Sequence, residues 1–101
     1  MLFNPGNHVM TRAIADCVKK DEQFASEVFK AIGRYLAGDF SDMECREDIE
    51  LNRQAIKSGK DNIVATYNTC KGKVFIVTEW DKSCTTVLFP DEYQGEERKH
   101  I

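Results

Sequence analysis

The sequence predicts an α+β protein in which two to three N-terminal helices pack on a C-terminal three-stranded antiparallel β-meander, with a short N-terminal edge strand. Two observations carry this prediction. Before residue 60, apolar residues recur at the three- and four-residue spacing of amphipathic helices. Residues 63–93 instead contain three runs rich in Val, Ile, Phe, Tyr and Thr, and the turn-forming segments Cys70-Lys71-Gly72 and Asp81-Lys82-Ser83 separate these runs.

The N-terminal elements follow from turn and cap signals. Pro5-Gly6 indicates a turn, and residues 7–10 can form the edge strand. Thr11 suits the N-cap of a first helix over about residues 12–20, because its hydroxyl can accept a bond from a backbone amide of the first turn. Asp21 is the next cap, and Gly38 ends the second helix. The apolar face of this second helix is predicted to lie against the sheet and comprises Phe24, Val28, Ile32, Tyr35 and Leu36, widened by Ala25 and Phe29.

A third helix is predicted from the segment Ser41-Asp42-Met43-Glu44, which matches the S-x-x-E capping box. It runs to about Ser58, with Gly59 as its stop. Asn52 lies midway along this helix among apolar residues, so we interpret it as a buried amide that ties the helix to a loop.

The middle strand of the meander is apolar on both faces. Successive side chains of a strand point to opposite sides, so Val74 and Ile76 share one face while Phe75 and Val77 share the other. A strand of this kind belongs in the centre of a sheet with cover on each side. The same alternation places Trp80 on the Val74 face, where it either caps the core or anchors a partner.

Composition bounds the class of protein. With 101 residues the chain is long enough for one core, and we predict a single domain over residues 1–93 and a charged tail over residues 94–101. The net charge of −3 gives no reason to expect direct nucleic-acid or membrane contact. Neither a secretory signal nor a cofactor motif is recognised, so a cytoplasmic protein without a cofactor is expected.

The spacing of the four cysteines does not match a metal-binding motif. Cys17, Cys45, Cys70 and Cys84 contain no C-x-x-C pair, and the chain has 2 histidines. Reduced thiols are the simplest interpretation, with disulfides or a metal as alternatives.

The first candidate site is the second turn of the meander with its flanks. Glu79, Trp80, Asp81 and Lys82 are followed by hydroxyl-bearing residues at positions 83, 85 and 86. Carboxylates beside hydroxyls can bind a hard cation or transfer protons. Asp and Ser at a turn also bond to nearby backbone amides, and this alternative needs no catalytic role. No catalytic or metal-binding residue is assigned here, and partner contact is the functional interpretation.

The second candidate site is an acidic segment at residues 39–50. It carries six carboxylates against one basic residue, Arg46, and those chosen as partner contacts are Asp39, Asp42, Glu44, Glu47 and Asp48. Such a run is typical of a solvated helix face. The functional alternative is a negative patch that occupies a basic groove of a partner, for example one that otherwise holds nucleic acid.

The motif Thr78-Glu79-Trp80-Asp81-Lys82-Ser83-x-Thr85-Thr86-x-Leu88-x-Pro90-x-Glu92-Tyr93 resembles a family of small proteins of unknown function from bacterial genomes, plasmids and phages. Members are often labelled "plasmid-related protein" or "type I restriction endonuclease subunit M". The resemblance covers about residues 3–93 and implies a role in mobile DNA. It implies no catalytic residue.

Three functional hypotheses follow. The first is a non-enzymatic protein-binding module of a phage or mobile element that inhibits a host defence nuclease, in the manner of an anti-CRISPR protein. The second is an accessory or regulatory protein of DNA metabolism or restriction-modification. The third is a small enzyme that uses Glu79 and Asp81.

Overall fold

A computed structural model of the chain describes residues 2–93, so the tail predicted at residues 94–101 lies outside the described residues. The elements in chain order are β1 (Asn7–Met10), α1 (Arg12–Lys20), α2 (Glu22–Leu36), α3 (Arg46–Ser58), β2 (Ile63–Thr69), β3 (Gly72–Thr78), β4 (Cys84–Leu88) and a 3₁₀ turn (Pro90–Glu92). The α+β class is confirmed.

The sheet has four strands in the order β1-β4-β3-β2 and is mixed. Strands β2, β3 and β4 pair antiparallel as predicted, but β1 pairs parallel to β4. The N–H of Asn7 donates to the Ser83 carbonyl at 3.1 Å, and the N–H of Thr11 donates to the Val87 carbonyl at 3.0 Å. A three-stranded antiparallel sheet was therefore wrong in strand number and order, because the N-terminal edge strand joins the meander.

Helices α1 and α2 begin at the predicted caps. The Thr11 side chain accepts from the Ile14 N–H, and the Asp21 side chain accepts from the Phe24 N–H. Gly38 follows α2 with φ +80°, a conformation that glycine adopts readily. Of the predicted apolar face of α2, Phe24, Val28 and Tyr35 are buried, and Phe29 is 57% exposed. The other members, Ala25, Ile32 and Leu36, are half-buried. The largest fully buried side chains are Tyr35, Tyr67, Phe24, Ile14, Ile63 and Ile76.

Helix α3 begins at Arg46 rather than at the predicted capping box. Its N-cap, Cys45, makes no side-chain cap bond. The Ser41 hydroxyl instead donates to Asp39 at 2.7 Å and accepts from Arg34 at 3.0 Å. These tertiary contacts hold residues 39–42 as a loop against α2, so the capping-box prediction is wrong. The stop at Gly59 is confirmed, with a left-handed φ of 70°.

Three buried hydroxyl groups form a chain through the core. The Thr85 hydroxyl donates to the Pro5 carbonyl at 2.6 Å, so its oxygen accepts the single proton of Thr78 at 2.7 Å. The Tyr35 hydroxyl lies 2.7 Å from the Thr78 hydroxyl and 3.1 Å from the Ile63 carbonyl. Burial raises the pKa of Tyr35, which keeps this group a neutral donor. The chain joins α2, β3, β4 and the N-terminal loop.

The substitution Thr85→Val tests this hydroxyl chain. Valine keeps the shape and the strand propensity of threonine but leaves the Thr78 hydroxyl and the Pro5 carbonyl without this partner. We expect the free energy of unfolding, measured by urea denaturation, to fall by about 1–3 kcal/mol. Thr86→Val, on the partly exposed opposite face of β4, is the matched control and should change it by less than about 0.5 kcal/mol. Equal losses in both variants would contradict this assignment.

Candidate functional site: a groove on the open face of the sheet

The face of the sheet away from α1 and α2 carries a groove of about 760 Å³. Its floor is formed by Val64, Thr66 and Phe75 from β2 and β3. Residues of α3 and of the loop at residues 60–62, together with Trp80 and Tyr93, line its sides. The ring of Tyr93 meets that of Phe75 edge-on at 5.3 Å between centroids. The expected cover on this second face of β3 is therefore partial.

Two large apolar side chains that line this groove are exposed. Leu51 on α3 and Trp80 are each 61% exposed. Exposed apolar side chains that line one groove are candidate contact residues. Met43 and Phe75 also contribute apolar side chains to the lining.

Placing Trp80 on the Val74 face of the core was wrong. Val74 is fully buried against the helices, whereas Trp80 lines the groove together with Phe75. Strand β3 ends at Thr78, so the alternation of a strand no longer applies two residues later. The alternative interpretation of Trp80, a partner anchor, stays a prediction that this exposure supports.

The turn before β4 uses its polar residues to stabilise itself. The Asp81 carboxylate accepts from the Ser83 N–H at 3.0 Å, and hydrogen bonds from Ser83 lower the pKa of Asp81. Lys82 adopts a left-handed φ of 61°, and its N–H donates to the Glu79 carbonyl. Asp81 and Lys82 are thus explained by turn chemistry. The enzyme hypothesis for Glu79 and Asp81 stays a hypothesis.

Arg34 on α2 neutralises the beginning of the acidic segment. Its guanidinium bonds to Asp39 at 2.9 Å and to Asp42 at 3.0 Å and lies over the Tyr67 ring at 5.1 Å. These bonds from Arg34 hold the pKa of both carboxyl groups below the usual range. Asp42 also accepts from the Asn68 N–H at 3.0 Å. Asp39 and Asp42 therefore connect the loop to α2 and β2 and do not line the groove.

The rest of the acidic segment is more open to solvent. Glu44 is 86% exposed and lies 3.5 Å from Lys73. Glu47 and Asp48 are in the first turn of α3, where the helix dipole favours negative charge. Neither forms an ion pair within residues 2–93. Asp48 lines the groove, so the structure brings one member of the acidic segment and Trp80 to the same site.

Asn52 fixes the position of α3, which lines the groove. Its side chain is 4% exposed and bonds to both backbone groups of Val64, with the amide donating to the carbonyl at 2.7 Å and the oxygen accepting the N–H at 3.1 Å. The predicted burial of Asn52 is confirmed, but its partner is the edge of β2 rather than a loop. This pairing holds α3, and with it Leu51, beside the sheet.

Sequence reasoning missed several groove residues. Leu51, Phe75, Tyr93 and the loop Lys60-Asp61-Asn62 were not chosen as site residues, although all line the groove. One signal was available for Leu51, since it lies off the apolar stripe of its helix. A large apolar residue on the polar face of an amphipathic helix is a candidate contact residue.

The described residues contain neither a metal-binding cluster nor a disulfide nor a helix that could span a membrane. In residues 2–93, no three His, Cys, Asp or Glu side chains come together in a group that could hold a metal ion. All four cysteines are free thiols. None of the helices in this part of the chain has the length and apolar character required to cross a bilayer.

Fold and groove together define the class: an α+β protein with a four-stranded mixed sheet, one face of which is covered by helices while the other carries a groove. No protein-family model, curated protein or solved structure matches the chain. The resemblance based on the motif at residues 78–93 therefore stays a prediction.

The Arg34 cluster predicts an acid-sensitive contribution to stability. The pKa values of Asp39 and Asp42 are lower in the folded chain than the ordinary unfolded value of about 3.9. Their contribution is therefore complete above that value and is lost as the pH falls below about 4 toward the folded pKa. We expect Arg34→Gln to reduce the loss of unfolding free energy between about pH 6 and pH 3, measured by urea titration at each pH.

The control for this measurement is Arg53→Gln on α3. Arg53 is exposed and forms no ion pair in the described part of the chain. Its replacement should leave the pH dependence unchanged. If both arginine variants lose as much unfolding free energy on acidification as the native chain does, the cluster does not couple protonation to folding.

Proposed function

We propose that this chain is a non-enzymatic protein-binding module that holds a partner in the groove lined by α3 and Trp80. The observation that carries the proposal is that Leu51 and Trp80, both 61% exposed, line one groove. Burying two such side chains on association is favourable, and a tryptophan is the residue type most often found at the energetic centre of an interface.

The partner should combine apolar and basic side chains. Apolar groups would fill the space between Leu51 and Trp80, and basic groups would meet the rim formed by Glu47 and Asp48. Because Asp39 and Asp42 are already paired with Arg34, the attraction depends on the carboxylates that have no such partner in residues 2–93. Complementary charge raises the association rate more than it raises affinity.

We further propose that the partner is a basic surface of a host defence nuclease and that the chain, acting in the host cytoplasm, inhibits it. Two considerations support this proposal: the acidic rim beside the groove and the resemblance to proteins of mobile DNA. A surface that binds nucleic acid is basic, so an acidic protein that covers it competes with the substrate.

Truncation of the groove walls tests the binding function. The tagged chain and its Leu51→Ala/Trp80→Ala variant are used to capture proteins from host lysate, and affinities for the captured protein are then measured by calorimetry. We expect an affinity loss of about 30-fold or more, the equivalent of about 2 kcal/mol for a central contact. Leu2→Ala is the matched control, since Leu2 is 60% exposed and lies outside the groove. Capture that survives the double truncation would contradict the proposal.

Charge reversal at the rim tests the electrostatic part. With the captured protein, Glu47→Lys/Asp48→Lys should lower the association rate constant by about tenfold or more at low salt. The difference should shrink toward 1 M salt, where the screening length falls to about 3 Å. Glu22→Lys is the control because Glu22 also lies in the first turn of a helix, on α2, and outside the groove. An unchanged rate would remove the rim from the interface.

Inhibition is tested separately with defence nuclease complexes from the same host. Cleavage of labelled DNA is followed with the chain, with the groove variant and with the rim variant. We expect inhibition by the chain and by Leu2→Ala and its loss in both site variants. Cleavage that is unaffected by saturating chain in every complex would exclude nuclease inhibition while leaving the binding function testable.

A further inference from the structure

The two edges of the sheet differ in how far their backbone groups are hydrogen-bonded. At the β2 edge, Asn52 bonds to both backbone groups of Val64, and Asp42 accepts the N–H of Asn68. At the other end, β1 is the last strand in the sheet order among residues 2–93. An open edge presents a row of donors and acceptors that is ready to pair with another strand.

The register of β1 shows which groups lie on that open edge. The N–H groups of Asn7 and Thr11 bond to β4, so with the two-residue period of a strand the alternate residues His8 and Met10 direct their N–H and C=O groups away from the sheet. Residues 7–10 contain no proline, lysine or carboxylate, which are the usual devices that block an edge.

An apolar recess of about 200 Å³ lies beside this edge. It is lined by β1 and by Phe29 and Ile32 of α2, and no Asp, Glu, Lys or Arg contributes to it. Phe29 is 57% exposed at its rim, and Val9 is 46% exposed. A cavity of about 150 Å³ accepts a benzene ring, so this recess has room for an aromatic side chain.

We propose that this surface joins two copies of the chain through antiparallel β1–β1 pairing about a two-fold axis. In such an arrangement the same patch meets itself, so the protruding Phe29 of one copy enters the recess of the other. His8 then lies opposite the partner subunit's Met10, and the Val9 residues of the two copies face each other at the two-fold axis. The result is a continuous eight-stranded sheet with both α2 helices on the same face.

Charge favours a second copy over a basic partner. The chain carries a net charge of −3, so two copies repel each other over most of their surfaces. No Asp, Glu, Lys or Arg side chain lies on β1 or lines the recess, so this repulsion is least where the two patches meet. A basic partner that is attracted to the acid-rich protein has no complementary group here. The groove lies on the other face, so this inference does not rest on the proposed function.

Sedimentation velocity of the intact chain over a wide concentration range tests the pairing. We expect a species of twice the monomer mass, and Phe29→Asp should reduce it to the monomer mass because it places a charge in the recess. Arg53→Asp, an exposed change in the middle of α3, should leave the dimer intact. A chain that is monomeric at every concentration, or equal dimerisation of Phe29→Asp and the native chain, would overturn the proposal.

Hydrogen exchange identifies the contact and separates pairing from other kinds of dimer. The amides of His8 and Met10 should be protected in the native dimer and lose that protection in the Phe29→Asp monomer, while the Asn7 amide stays protected in both. Fast exchange of the two outward amides in a dimer would overturn β1 pairing. So would protection that appears only when an extended peptide is added, since it would assign the edge to a peptide ligand.

Discussion

The buried hydroxyl chain from Tyr35 through Thr78 and Thr85 to the Pro5 carbonyl is the constraint on which the arrangement of the elements depends. Each hydroxyl carries one proton. Because Thr85 donates its proton to the Pro5 carbonyl, Thr78 must donate to Thr85. An unpaired polar group at these buried positions would cost about 1–3 kcal/mol, out of a total stability of about 5–15 kcal/mol for a domain. Helix α2, both central strands and the N-terminal loop must therefore be placed together.

This constraint divides the residues at positions 78–93 between two tasks. Thr78 and Thr85 complete the hydroxyl chain, and Glu92 accepts both the Thr11 hydroxyl and the Phe89 N–H at 2.9 Å. Asp81 closes its own turn. Within residues 2–93 the Trp80 side chain forms no hydrogen bond, and the residue is 61% exposed. A side chain of this kind, on a turn that its own hydrogen bonds hold in place, can contact a partner with little loss of entropy.

Local signals in the sequence were sufficient for most elements but not for the site. Caps at Thr11 and Asp21 and the alternation through β3 depend on neighbours in the chain, so they could be read directly. The capping box at Ser41 failed because Arg34, distant in sequence, competes for the same side chains. The groove could not be predicted, because it depends on where Asn52 docks α3 along β2 and on where the alternation of β3 ends before Trp80.

The difference in hydrogen bonding between the two sheet edges places the two proposed contact surfaces at opposite ends of the strand order. Side chains of α3 and its preceding loop occupy the β2 edge and thereby build the groove, whereas β1 is left open. Pairing through β1 would put both grooves at the outer ends of one continuous sheet, where neither blocks the other. Two grooves held in one rigid body can engage a partner with repeated sites far more tightly than either alone, since the second contact becomes intramolecular.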